Sequence, residues 1–251
     1  LSSLFGGRRG PQSPAIAYDK WSETYDHESG NLMVALDDHI FPELLQGIPI
    51  AGKLVADIGC GTGRHWAMLL SMHPASLRGY DVSVGMLKQL RQKHPGAEVY
   101  VITDHRLPDV EDGSLDIIVS TLSLVYFTSL EQTFNEWNRV LKPGGNVVFT
   151  STHPEALQHG ANVTFAHSSG IVTIEQHIHT LADISQLADY YGWSRIAFVE
   201  RKIDETVRHF YEQQHALHVY EKFKTRPIIY GVHYRKKGVS NDETRPAESD
   251  S

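Results

Sequence analysis

Cysteine is almost missing from this 251-residue chain, where Cys60 stands alone. An internal disulfide is therefore excluded, and a reducing compartment, the cytoplasm, is expected. No apolar run approaches the ~20 residues that a membrane-spanning helix needs, so no membrane span is expected. Positive charge is also in short supply. Lys and Arg number 23 against 30 Asp and Glu, a formal net charge of −7. That balance leaves no electrostatic footprint for the phosphates of DNA or RNA and disfavours a nucleic-acid partner. Internal repeats are lacking too.

What is present is ordinary globular composition, 41% hydrophobic and 21% charged residues, at a length that suits one α/β domain with an elaborated cap. The two ends differ from the middle. Residues 1–17 carry Arg8, Arg9, three Ser and no acid; a disordered leader is expected, with an organellar transit segment as the alternative. Residues 238–251 are polar and hold nothing that could anchor a core, so a disordered tail is expected. The single domain is then 18–237.

Its organising stretch is Leu54-Val55-Ala56-Asp57-Ile58-Gly59-Cys60-Gly61-Thr62-Gly63, followed by Arg64-His65-Trp66-Ala67-Met68-Leu69-Leu70. An apolar run, three alternating glycines and an amphipathic run read as strand, tight turn and helix. Glycine frees the backbone for positive φ and lets a ligand lie close to the chain at the end of a sheet, so a nucleotide-like cofactor is expected. Dinucleotide sites use G-x-G-x-x-G, whereas the spacing here is G-x-G-x-G with Asp57 just inside the strand. Further strands are predicted at 76–81, ending in Asp81, at 98–102, 115–120 and 146–150, and near 194–201 and 227–235. Helices alternate with them, and that alternation predicts a parallel, doubly wound sheet. Tyr18, Trp21 and Tyr25 share one face of a predicted short helix. Ser83 should cap one helix, and Thr128 with Glu131 reads as a capping box for another. A helix is predicted at about 205–223. Val163 to Ile178 alternate around Ser168-Ser169-Gly170 as a small hairpin.

The glycine turn resembles motif I of the class I S-adenosylmethionine (SAM) methyltransferases. Asp81, the Thr103-Asp104-His105-Arg106-Leu107 loop and the Leu141-Lys142-Pro143-Gly144-Gly145 turn follow in the family's order, and residues 54–150 are similar to its "methyltransferase type 11" group. The resemblance implies a Rossmann-like methyltransferase fold: α/β, doubly wound, with a mostly parallel seven-stranded sheet and a cap inserted after strand five at about 151–179. It implies SAM as cofactor and methyl transfer by in-line displacement to O or N, less often C, of a small-molecule acceptor. It also implies the cofactor contacts. Asp57, Gly59, Cys60, Gly61 and Gly63 belong to the turn, Asp81 and Val82 to the ribose, and Met86 to the adenine. Asp104 would accept from the adenine amino group, and the His105 backbone N–H would meet a ring nitrogen, although His105 stands where the family has a small residue. Thr121 would run along the cofactor edge, and Tyr18 and Tyr25 would lie near its methionine end. No N-P-P-Y-like run follows strand four, which again disfavours a nucleic-acid substrate.

Displacement at a sulfonium needs alignment before it needs a base. His153, just past strand five at the carboxyl edge of the sheet, is the candidate base, with His177 and His179 in reserve on the predicted hairpin's polar face. Fifteen histidines invite a metal, but without H-x-x-x-H spacing none is expected. Two other function classes remain open: a catalytically silent SAM-fold binding protein and an NAD-dependent oxidoreductase.

Overall fold

The computed structural model describes residues 10–28, 30–107 and 109–238. In chain order the elements are α1 (Pro14–Trp21), α2 (Leu32–Leu44), β1 (Leu54–Ile58), α3 (Trp66–Ser71), β2 (Ser76–Asp81), α4 (Val84–Lys93), β3 (Glu98–Val101), β4 (Leu115–Thr121), α5 (Leu130–Val140), β5 (Leu141–Thr152), α6 (Pro154–Gln158), β6 (Thr164–His167), β7 (Gly170–Thr173), α7 (Leu181–Tyr190), β8 (Trp193–Lys202), α8 (Arg208–Gln213), α9 (Leu217–Phe223) and β9 (Pro227–Lys236).

Seven strands form one sheet in the order β3-β2-β1-β4-β5-β9-β8. The five strands from β3 to β5 pair in parallel, and β9 runs antiparallel to both β5 and β8. Parallel strands covered on both faces read as continuous apolar runs, which is why Ile117, Ile118 and Val119, and Val147, Val148 and Phe149, are all buried in succession. One face packs Ile40 and Phe41 of α2, Trp66 of α3 and Leu87 of α4. The other packs Phe134 and Trp137 of α5 and Ile184 of α7. The sequence order reverses at β1, with β2 on one side and β4 on the other, the switch point where open α/β sheets leave a crevice at their carboxyl ends.

Several expectations are corrected here. The first helix begins at Pro14, inside the stretch assigned to a leader, and Tyr25 has left it for a 3-10 turn over Tyr25–His27. Ala17 is fully buried, and the Gln12 N–H donates to the Thr173 carbonyl at 2.9 Å, so residues 10–17 are tied to the hairpin. The rest of the expected leader, 1–9, and the expected tail from 239 onward lie outside the described residues. The cap of α5 is Ser129, not Thr128: Ser129 is extended, and its hydroxyl accepts from the Gln132 N–H at 3.2 Å. The helix expected over 205–223 is broken. His215 takes φ +53°, and the Ala216 N–H returns to the Tyr211 carbonyl at 2.8 Å, the closure that ends a helix. Glycine usually supplies that left-handed residue, and with histidine there the pattern carries no stop signal. The hairpin forms as β6 and β7 but stops at Thr173, so His177 and His179 lie past its end rather than on a strand face.

Candidate functional site

Three glycines in the turn after β1 do three different things. Gly59 has φ +73°, and a Cβ there would run into the Ser123 side chain. Gly63 also has positive φ, and a Cβ would meet Leu90 Cγ at 2.8 Å and Trp66 Cγ at 3.2 Å, so it serves helix packing. Gly61, at φ +52°, would meet nothing within 4 Å. The space in front of Gly61 belongs to a cavity of about 460 Å³ at the carboxyl ends of β1, β2 and β4.

Three aspartates line this cavity, Asp57, Asp81 and Asp104, and the first two are buried. Asp81 closes β2, and both its oxygens hold backbone: Oδ2 accepts from the Gly61 N–H and Oδ1 from the Ser83 N–H, each at 2.8 Å. Burial pushes its pKa up to about 6 against those hydrogen bonds. Asp57 sits in β1, 4% exposed. Its Oδ2 accepts from Trp66 Nε1 at 2.9 Å, while Oδ1 is buried with no hydrogen-bond partner. Burial raises this carboxyl to about 7, opposed by the Trp66 hydrogen bond. An orphaned buried carboxylate oxygen is costly, and a cationic or N–H-bearing ligand group would satisfy it.

The N-terminal segment is latched over the cavity. Asp19 Oδ1 accepts from Ser83 Oγ at 2.6 Å and from the Gly85 N–H at 2.8 Å, placing a negative charge at the amino end of α4, where the helix dipole favours it. Asp26 accepts from Thr62 Oγ1 at 2.6 Å and pairs with Lys93 at 2.7 Å. Trp21 stacks on Phe165 of the hairpin with centroids 4.6 Å apart. Tyr18 OH donates to Tyr126 OH at 2.8 Å. Tyr18, Tyr25 and Tyr126 line the first cavity and also a second one of about 330 Å³, so they form the wall between the two with Leu122. Burial raises all three phenols above their usual range, which keeps them neutral. Leu122 holds φ +54° in this wall, with its N–H on the Thr150 carbonyl at 2.9 Å.

Beside the cavity lies a buried charge network that the sequence reading missed. Asp37 of α2, fully buried, accepts from Arg64, His65 and Thr150; Arg64 also bonds Asp38. Burial would raise Asp37, but the His65 hydrogen bond and the Arg64 charge outweigh it and hold the carboxyl below its ordinary value. Asp37, Asp38 and His65 lie close enough together to face a common ion, yet the Arg64 guanidinium already occupies the carboxylates. No local motif announces this cluster, because α2, α3 and β5 meet only in the folded chain.

Of the expected cofactor residues, Tyr18, Tyr25, Asp57, Gly59, Cys60, Gly61, Asp81, Val82, Met86, Asp104, His105 and Thr121 all line the first cavity, and Gly63 does not. The Asp104 carboxylate is shared with its neighbour Arg106, whose N–H it accepts at 2.8 Å. Burial raises the Cys60 thiol well above its usual range, so it stays protonated. The three candidate base histidines line neither cavity. His153 caps α6, its Nδ1 accepting from the Glu155 N–H at 3.2 Å. Its Nε2 lies 3.2 Å from Glu200 but out of hydrogen-bond alignment, and burial lowers its pKa against the Glu200 charge. His179 Nε2 sits 2.8 Å from the Phe127 carbonyl and the His177 N–H donates to Val125, so both brace the loop after β4 from behind.

Residues 56–149 match the family model described as "Methyltransferase domain". The chain is 35% identical over 130 residues to a malonyl-[acyl-carrier protein] O-methyltransferase of Methylococcus capsulatus, covering 49% of this chain and 47% of that protein. It is 30% identical over 169 residues to the corresponding protein 1 of Coxiella burnetii, covering 67% and 55%. The chain thus spans about half the length of the curated relatives it matches. Among solved structures, an S-adenosylmethionine-dependent methyltransferase from Mesorhizobium loti superposes with TM-score 0.60 at 19% identity, over 78% of this chain and 96% of that one. A geranyl diphosphate C-methyltransferase from Streptomyces coelicolor, in complex with S-adenosyl-L-homocysteine, gives 0.61 at 16% identity over 90% and 89%. At these identities the likeness is one of fold.

Proposed function

We propose, from the match of residues 56–149 to the methyltransferase domain model, that this chain is a SAM-dependent enzyme that moves a methyl group to O or N of a small-molecule acceptor. The observation that carries the proposal is the buried, unpartnered Oδ1 of Asp57 beside Asp81 and the open face of Gly61, all in one cavity. Asp57 takes the ammonium of the cofactor's methionine end, and the spare lone pairs of Asp81 take the ribose hydroxyls. Met86, Val82 and the Asp104–His105 loop bound the adenine end, and Tyr18 and Tyr25 the methionine end.

When bound, SAM supplies a methyl carbon on a cationic sulfur, and the acceptor's lone pair forms the new bond as the C–S bond breaks with its electron pair going to sulfur. The chain contributes alignment and exclusion of water. The N-terminal segment closes the site through Asp19 of α1 and Asp26 of the 3-10 turn, and three neutral tyrosines wall its methionine end. A base on His153, His177 or His179 is no part of this proposal, since none reaches either cavity. No side-chain base is required where the acceptor arrives deprotonated or gives its proton to water, and positioning supplies much of the rate.

Two measurements test the proposal. Calorimetry should give binding of SAM and none of NADH; the reverse would restore the oxidoreductase. Incubation with methyl-labelled SAM and a metabolite extract should yield a labelled small molecule. Binding without label transfer to any metabolite would leave a silent binding protein.

A further inference from the structure

The second cavity has a distinctive charge. Among its described lining residues there is one acid, Glu28, and no lysine, arginine or histidine. Six of its nineteen described lining residues are aromatic. Tyr18 and Trp21 lie with centroids 5.7 Å apart, Trp21 and Tyr25 meet edge to face at 5.0 Å, and Tyr18 and Tyr126 do so at 5.3 Å. Phe210 and Tyr211, of α8, also line it. Aromatic faces carry negative potential. Glu28 adds a full charge at the exposed end, fixed in place because its Oε1 accepts from Trp21 Nε1 at 2.6 Å.

The arginine of the neighbouring cavity cannot reverse that balance. Both ends of the Arg64 guanidinium are held, by Asp37 and by Asp38. A carboxylate or phosphate drawn into the second cavity would meet ring faces and a like charge with no counter-charge, and an unpaired buried ion is strongly disfavoured. A cation would be attracted by the rings and the carboxylate together.

We propose that this cavity binds a small amine, its ammonium gathered by the aromatic wall and Glu28. The proposal rests on the SAM-dependent reading given above. It separates this chain from its curated relatives, whose names specify a malonyl group and transfer to oxygen.

The test uses the full chain saturated with S-adenosylhomocysteine, titrated at neutral pH with two probes of similar size and opposite charge, 2-phenylethylamine and 3-phenylpropionate. The amine is expected to bind at least about tenfold more tightly. Glu28→Gln should weaken amine binding by about tenfold and leave the affinity for S-adenosylhomocysteine unchanged, which shows that the variant is folded. Equal or tighter binding of the carboxylate, no binding of the amine, or an amine affinity indifferent to Glu28→Gln overturns the proposal while the SAM-dependent reading stands. Failure of S-adenosylhomocysteine itself to bind overturns that reading, and this proposal with it.

Discussion

Assigned to the cofactor ammonium, Asp57 should make the affinity for SAM a function of pH, in a way that can be worked out from its surroundings. Its carboxyl is 4% exposed, holds one indole N–H and is raised to about 7. The cofactor ammonium needs the ionised form. Below pH ~7, binding must first remove a proton, so affinity should fall roughly tenfold per pH unit. Asp81, raised to about 6, adds a second proton below that point, and the two acids titrate as a coupled pair. Above pH ~8 the α-amino group of the cofactor loses its charge, so the profile should peak between about pH 7 and 8. Calorimetry across this range, in buffers of different ionisation enthalpy, should detect close to one proton released per SAM bound near pH ~6.5, rising to between one and two as the pH falls below ~6. Asp57→Asn should flatten the profile and weaken binding at pH ~7.5 by about 1.5 to 3 kcal/mol, the loss of one charge-assisted hydrogen bond. The free protein provides the opposite sign. Between pH ~4 and ~7 the folded state holds protons that the unfolded chain has released, so stability without ligand should fall as pH rises through that window. The ionisation cost at pH above 7 is on the order of 4 kcal/mol. A SAM affinity independent of pH between about 5.5 and 7.5, with no proton release, would refute the assignment of Asp57 to the ammonium.

The glycines should separate by phenotype. Gly61→Val, facing open cavity, should abolish SAM binding while the protein stays folded, whereas Gly59→Ala, facing Ser123, should lower the melting temperature; the reverse pattern in thermal melts and calorimetry would contradict the division of labour. Asp19→Ala removes two contacts at the start of α4, so backbone amides over Pro14–Trp21 should exchange faster without SAM and regain protection when it is added; unchanged exchange would make the segment plain packing. His153→Asn should leave kcat, its pH profile and SAM affinity unaltered and cost only stability, because His153 caps α6 away from both cavities. A loss in kcat of about 10²-fold or more would return His153 to the role of base.

Much of the cofactor side was legible because it is written in short segments. A strand, a G-x-G-x-G turn and an acid ending the next strand each need only a few consecutive residues, and parallel pairing brings those segments to one edge. Twelve of the thirteen residues expected there line one cavity; the exception, Gly63, was selected for packing against Leu90 and Trp66. The same locality explains the failures. Thr128 and Ser129 are both able to cap, and backbone conformation chose the second. The break at His215 depends on a left-handed residue that is not glycine. His153 stands where a catalytic group could stand, but its ring turns back to its own helix and toward Glu200.

By itself, then, the sequence determined the sheet, the glycine turn and the two acids, since these follow from periodicity and spacing within about 20 residues at a time, while the cofactor was named by a family resemblance carried on those same segments. Tertiary structure alone decided the tyrosine wall and the second cavity. The Tyr18–Tyr126 hydrogen bond joins residues 108 apart, and Thr150–Asp37 joins residues 113 apart. The second cavity takes its walls from the lid, α2, the inserted segment and α8, and its lack of positive charge appears only when those walls are assembled. The raised pKa of Asp57 has the same origin. Burial and pairing are sums over neighbours contributed by the whole chain, and no local pattern encodes them.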